Sequence, residues 1–84
     1  MINIENKELN SYKSNLKRIR VASGLTQYEL ASLSGVNIKS ISAYEQSTDK
    51  INKASVDTLF YIAEALNCSI EDIMQKEYLW NGEN

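Results

Sequence analysis

The 84-residue sequence predicts an all-α domain of five short helices. Three observations lead there. Apolar residues recur at helical spacing in successive segments, with no strand signal between them. Two capping boxes, Thr26 with Glu29 and Ser69 with Asp72, mark helix starts. Between residues 27 and 44, a small residue and a glycine stand where two short helices would need them in order to cross steeply.

Residues 1–10 are polar and without apolar periodicity, so they are read as a flexible N-terminal arm, followed by a folded domain over 11–75 and a tail over 76–84. Tyr12, Leu16, Ile19 and Ala22 form one stripe of a first helix, with basic residues facing out or flanking it and Gly24 at a left-handed C-cap. Thr26 caps a second helix over 27–34, and Glu29 completes a box that satisfies two otherwise orphan amides. Asn37 is a good cap for a third helix, running to about residue 46. Residues 46–53 are polar except for Ile51 and read as a loop. Leu59, Ile62, Ala63 and Leu66 give the fourth helix, capped by Ser55 or Asn52 and ended by Asn67 in place of the customary glycine. Ser69 and Asp72 start a short fifth helix whose Ile70, Ile73 and Met74 close the core.

The spacing Gln27-x-x-Leu30-Ala31-x-x-x-Gly35-Val36-x-x-x-x-Ile41-x-x-Tyr44 is that of a helix-turn-helix. Ala31 is small where the second element must cross, and Gly35 supplies the positive φ that ends the first abruptly. Leu30, Val36 and Ile41 fill the wedge, which leaves the opposite face of the third helix free to enter a DNA major groove. At the 3.6-residue period Ile41, Tyr44 and Glu45 turn inward, and Ile38, Lys39, Ser42 and Ala43 turn outward as base-contact candidates. Lys39 can donate to guanine O6 and N7, Ser42 can pair with several base edges, and Ile38 and Ala43 can meet a thymine methyl.

Composition narrows the other classes. The length suits one domain with a small core. No apolar run approaches the roughly 18 residues of a membrane span, and no basic start with an apolar h-region marks secretion, so a cytoplasmic location is expected. Cys68 is alone and histidine is absent, which leaves no disulfide and no usual zinc-ligand set. Without histidine, a Gly-rich phosphate loop or a nucleophile elbow, an enzyme is not expected, nor a cofactor or metal. The net charge of −2 divides along the chain. From Lys13 to Lys53 seven cations (Lys13, Lys17, Arg18, Arg20, Lys39, Lys50, Lys53) face Glu29, Glu45 and Asp49, leaving +4. From Ala54 onward Lys76 faces six acids, leaving −5. Local field governs phosphate attraction within a Debye length of about 8 Å, so this segregation is compatible with DNA binding.

Arg20, Gly24-Leu25-Thr26-Gln27, Glu29-Leu30-Ala31, Gly35-Val36, Ile41-Ser42, Tyr44-Glu45, Leu59, Ile62-Ala63, Leu66 and Asp72-Ile73 together give the chain a resemblance to the Cro-like and phage-repressor-like helix-turn-helix family, also called the xenobiotic-response-element (XRE) family of bacterial regulators. The resemblance spans residues 16–73 or so. It implies a five-helix, lambda-repressor-like domain that binds operator DNA, usually as a symmetric dimer, and regulates transcription. It also implies a bridge between Arg20 and Glu45 that holds the third helix at its angle. Gln27, whose amide and free backbone N–H groups converge at a helix start, is a phosphate contact both on that ground and by the family's use of the matching position. Tyr28 can add a phenolic bond to phosphate or be an ordinary surface tyrosine, and Asn37 can contact backbone as well as cap. Lys50, Asn52 and Lys53 are phosphate candidates set against a reading as solvated polar groups. The chain departs from the family's pattern after Glu45, where a basic residue, a glycine and a proline are missing and the loop looks longer, and in having no second domain, so no effector is implied.

The leading functional reading is a sequence-specific regulator of double-stranded DNA, a repressor binding a near-palindromic operator as a homodimer. The alternative is an antitoxin or other protein-binding module that docks a partner protein through its acidic second half. Tyr78, Leu79 and Trp80 are unusually apolar for a terminus; they form a dimer seam with the fifth helix or fold back on their own core.

Overall fold

The structure, a computed structural model, describes residues 12–75. Six helices follow one another among them: α1 (Asn15–Ala22), α2 (Gln27–Ser34), α3 (Ile38–Gln46), α4 (Thr48–Asn52), α5 (Val56–Leu66) and α6 (Ile70–Ile73). α1 packs on α3 and α6, α2 packs on α3 and α5, α4 packs on α3, and α5 packs on α6. No helix among the described residues is long and apolar enough to cross a membrane.

The caps place the helix ends. Thr26 Oγ1 accepts from the Glu29 amide at 3.0 Å while Glu29 Oε1 accepts from the Thr26 amide at 2.9 Å, closing the reciprocal box at the head of α2. Ser69 and Asp72 do the same for α6, Ser55 caps α5, and Asn37 Oδ1 accepts from the Lys39 amide to cap α3. Ser14 caps α1. α1 and α5 both end in Schellman geometry: the Leu25 amide reaches Arg20 O at 3.2 Å past Gly24, and the Cys68 amide reaches Ala63 O at 3.0 Å past Asn67. Asn67 adopts φ 56°, the one positive φ outside glycine among the described residues, so asparagine does here what glycine does at 24 and 35.

Two expectations need correction. Residues 46–53 are not a loop: α4 occupies most of the stretch. A single apolar side chain cannot produce a periodic signal, yet one helical turn is enough to sink Ile51 into the core, where it is 1% exposed. The stripe of α1 also differs from the expected one. Leu16 is fully buried and Ile19 packs on the core, but Ala22 is exposed and Arg20, expected on the outside or the flank, is buried. Its guanidinium turns inward because a carboxylate waits for it on α3.

Each helix supplies the core. Leu16, Leu30, Ile41, Ile51 and Ile73 come one apiece from α1, α2, α3, α4 and α6, and α5 adds Leu59, Ile62, Ala63 and Leu66. Each buried Leu or Ile contributes roughly 1.5–3 kcal/mol. Val36 and Ala31 pack against this cluster beside Leu30 and Ile41, filling the wedge between α2 and α3. A polar clasp joins the two ends of the described chain: Gln75 Oε1 accepts from the Asn15 amide at 3.0 Å, its Nε2 donates to Lys13 O at 3.0 Å, and its backbone N–H donates to Asn52 Oδ1 at 3.1 Å.

The turn between α2 and α3 depends on Gly35 at φ +75°, where an added Cβ would meet nothing within 4 Å. The penalty for a side chain there is therefore purely conformational. Gly35→Ala should lose about 1–2 kcal/mol in urea unfolding, whereas Asn67→Gly, at a comparable φ, should leave the midpoint unchanged or raise it slightly.

Candidate nucleic-acid interface

The geometry of α3 rests on Glu45, whose side chain is 2% exposed on the helix's inner face. Arg20 approaches it from α1 in a two-pronged arrangement, Nε to Oε2 at 2.7 Å and Nη2 to Oε1 at 3.1 Å. The remaining nitrogen, Nη1, donates to Leu25 O at 2.7 Å, so the same guanidinium fixes the turn into α2. Gln27 completes the cluster from the first turn of α2, its Nε2 donating to Glu45 Oε1 at 2.9 Å. One carboxylate thus ties α1, α2 and α3 together. Charge-assisted, bidentate bonds of this kind fix orientation as well as distance, and no buried side-chain N or O among the described residues lacks a partner.

With Ile41 and Glu45 facing in and Tyr44 packed on the core, the rest of α3 faces away. Ile38 and Lys39 are exposed and Ser42 and Ala43 are half-exposed; Lys39 and Ala43 lie opposite the buried residues and Ser42 beside them, while Ile38, seven residues before Glu45, sits at the edge of the inner face. They fall within about the first turn and a half of α3, and a major groove is wide enough to admit an α-helix. Gln46 belongs with them and was missed by sequence reasoning, which took it as a helix end. It is exposed one turn beyond Ser42, and its Nε2 lies 3.5 Å from Ser42 Oγ. The i, i+4 spacing from Ser42 was the available signal.

The phosphate candidates cluster around helix starts. At the head of α2 the capping box engages the amides of Thr26 and Glu29, while those of Gln27 and Tyr28 lie in the first turn with no carbonyl to reach within the helix. Gln27 keeps its second amide hydrogen after bonding Glu45, and Tyr28 is 73% exposed. Asn37 is exposed at the head of α3, its carbonyl oxygen committed to the Lys39 amide and its NH2 still available as a donor. On α4 the buried Ile51 sets the orientation; Lys50 is exposed on the helix and Lys53 just past its end. Asn52 is differently engaged: half-buried, it accepts from Gln75, which leaves only its NH2 for any contact with a nucleic acid. Tyr78, Leu79 and Trp80 lie outside the described residues.

Two short helices joined by a glycine turn, with the second presenting a face that none of the described residues covers, define a DNA-binding helix-turn-helix protein. A helix-turn-helix family model matches residues 16–73, most of the chain. The chain belongs to this family, in its Cro-like, XRE-type form, and the all-helical fold is lambda-repressor-like. Members are DNA-binding and typically not enzymes. Comparison with curated proteins and with solved structures found no match.

Removing one partner of the buried pair strands the other. Glu45→Ala should therefore cost about 3–5 kcal/mol of stability and weaken DNA binding in parallel, because α3 loses its hold on α1 and α2. Thermal melting and a duplex-binding titration on the same preparation check it; a loss of binding with unchanged melting would contradict the assignment. The double change Arg20→Met with Glu45→Leu should recover most of the stability.

Proposed function

We propose that the chain is a transcription regulator that binds a specific double-stranded operator as a homodimer and represses the genes beside it. The observation that carries this reading is the exposed side of α3, where Lys39, Ser42 and Ala43 project, with Ile38 at its edge, from a helix whose inner face is locked to α1 and α2. In this reading Lys39 and Ser42 read base edges, Ile38 and Ala43 sense thymine methyl groups, and Gln46 extends the contact by one turn. Gln27, Tyr28 and Asn37 hold phosphates at the two helix starts, with Lys50 and Lys53 gripping the backbone from α4 and the NH2 of Asn52 as a weaker contributor. The domain over 11–75 acts as the DNA-binding unit inside the bacterial cytoplasm.

A single unit of this size covers little duplex, and specific binding is supported by doubling it. Two copies related by a twofold axis present their α3 helices about 34 Å apart, one turn of duplex, which is why a near-palindrome is the expected site.

Selection from random duplexes followed by titration over several salt concentrations tests the reading. A recurring, inverted-repeat sequence is expected, bound with a strongly negative log–log salt slope; recovery of no preferred sequence would overturn it. Lys39→Ala and Ser42→Ala should change which bases are selected. Lys50→Gln and Lys53→Gln should instead weaken all duplexes alike, each reducing the slope by about 0.9.

A further inference from the structure

The outer face of α5 is apolar where a solvent-facing helix would be polar. Val56 is 70% exposed, Phe60 48% and Tyr61 53%, with the two rings edge to face at 5.8 Å. Beside Phe60 a groove of about 460 Å³ runs between α5 and the start of α6, with buried Ala63 and half-buried Cys68 and Ile70 beneath and exposed Glu64 and Glu71 at its edge. It is large enough to take an indole together with a second ring. Between Ala54 and Gln75 the sequence contains no lysine or arginine at all. None of Asp57, Glu64 and Glu71 forms an ion pair among the described residues.

A face of this composition disfavours DNA and suits a partner that is both cationic and apolar. The other exposed large apolar side chains among the described residues, Tyr28, Leu33 and Ile38, belong to the two helices of the DNA-reading motif, so α5 is where apolar surface remains for a subunit contact. Two bare α5 faces cannot simply meet, because three carboxylates from each copy would be brought together without a cation between them. The chain has one segment that resolves the conflict. Residues 76–80, Lys-Glu-Tyr-Leu-Trp, combine the only cation beyond Lys53 with three large apolar residues.

We propose that the groove between α5 and α6 is the dimer interface, and that it receives Tyr78, Leu79 and Trp80 of a second copy of the chain, with that copy's Lys76 meeting Glu64 and Glu71. The inference rests on the homodimer reading above and names its surface. The exchange is reciprocal, so it closes a twofold dimer with both grooves filled and leaves α3 of each copy uncovered.

Trp80 is the only tryptophan and Cys68 the only cysteine, so each side of the proposed contact carries its own probe. Burial, with Asp72 nearby, pushes the Cys68 thiol above its ordinary pKa, so at neutral pH it is protonated and reacts slowly, and covering the groove should slow it further. The test follows Trp80 emission and Cys68 alkylation of the full chain across a dilution series alongside sedimentation equilibrium. Blue-shifted emission and slow alkylation should hold while the dimer persists and be lost with the same midpoint as the dimer. Phe60→Glu and Trp80→Ala should each raise the dimer Kd about tenfold or more without lowering the monomer's melting temperature. Lys76→Glu should weaken the dimer several-fold, and Glu64→Lys with Glu71→Lys should restore it. Emission that stays blue-shifted after the dimer has dissociated would place the segment in its own groove and overturn the proposal. Solvent-like emission in a stable dimer would overturn it in favour of another interface. A monomer at every concentration would remove the homodimer reading itself.

Discussion

The ion pair between Arg20 and Glu45 is the constraint on which the arrangement of the DNA-reading elements depends. α3 contributes one fully buried apolar side chain, Ile41, and a single contact of that kind fixes where a helix sits better than how it is turned. The carboxylate of Glu45 supplies the missing restraint by accepting two bonds from α1 and one from α2. Such a pair is a poor source of stability, since taking both charges out of water offsets most of their attraction. Its value here is geometric: the planar guanidinium, bonded at three nitrogens, restrains α1 against α3 and the Leu25 turn, and Gln27 brings α2 to the same carboxylate.

The same pairing shapes the field around the molecule. Arg20 and Glu45 cancel inside the fold, which leaves the positive balance of residues 13–53 on side chains that reach solvent, Lys39, Lys50 and Lys53 among them. The cation-free stretch from Ala54 to Gln75 forms α5 and α6. A net charge of −2 therefore says little about what the protein can bind, because a phosphate within a Debye length of α3 meets the first set of charges well before the second. The acidic half also disfavours placements in which α5 faces the duplex.

Most of the fold was legible in the sequence because its signals are local. Capping boxes at Thr26 and Ser69, the Asn37 cap, and the left-handed positions at Gly24, Gly35 and Asn67 each act within five residues, and the structure has them as read. The inner face of α3 followed from helical period alone, as did the core residues of α5, whereas Ile38 is exposed although the same period sets it beside Glu45. What escaped depends on long-range contacts. α4 forms because Ile51 has a place in the core, which no periodicity within an otherwise polar stretch can announce. Burial of Arg20 was implied by family resemblance and not by its neighbours in the chain. The Gln75 clasp and the bond from Gln27 to Glu45 join amides to partners 18 to 62 residues away, and amides have no pattern that singles out such partners.

The mis-read segment bears on how DNA would be held. Phosphate-binding lysines on a flexible loop must be ordered when they bind, and that entropy subtracts from affinity. Lys50 and Lys53 stand instead on and just after a helical turn pinned from beneath by Ile51 and at its end by the bond between Asn52 and Gln75. α4 also packs directly on α3, so the proposed backbone grip and the proposed base-reading face belong to one packed unit. Under the proposed function a phosphate contact at α4 would fix the register of Lys39 and Ser42 over the bases, which would make the segment without a recognisable loop motif a positioning element for the helix before it.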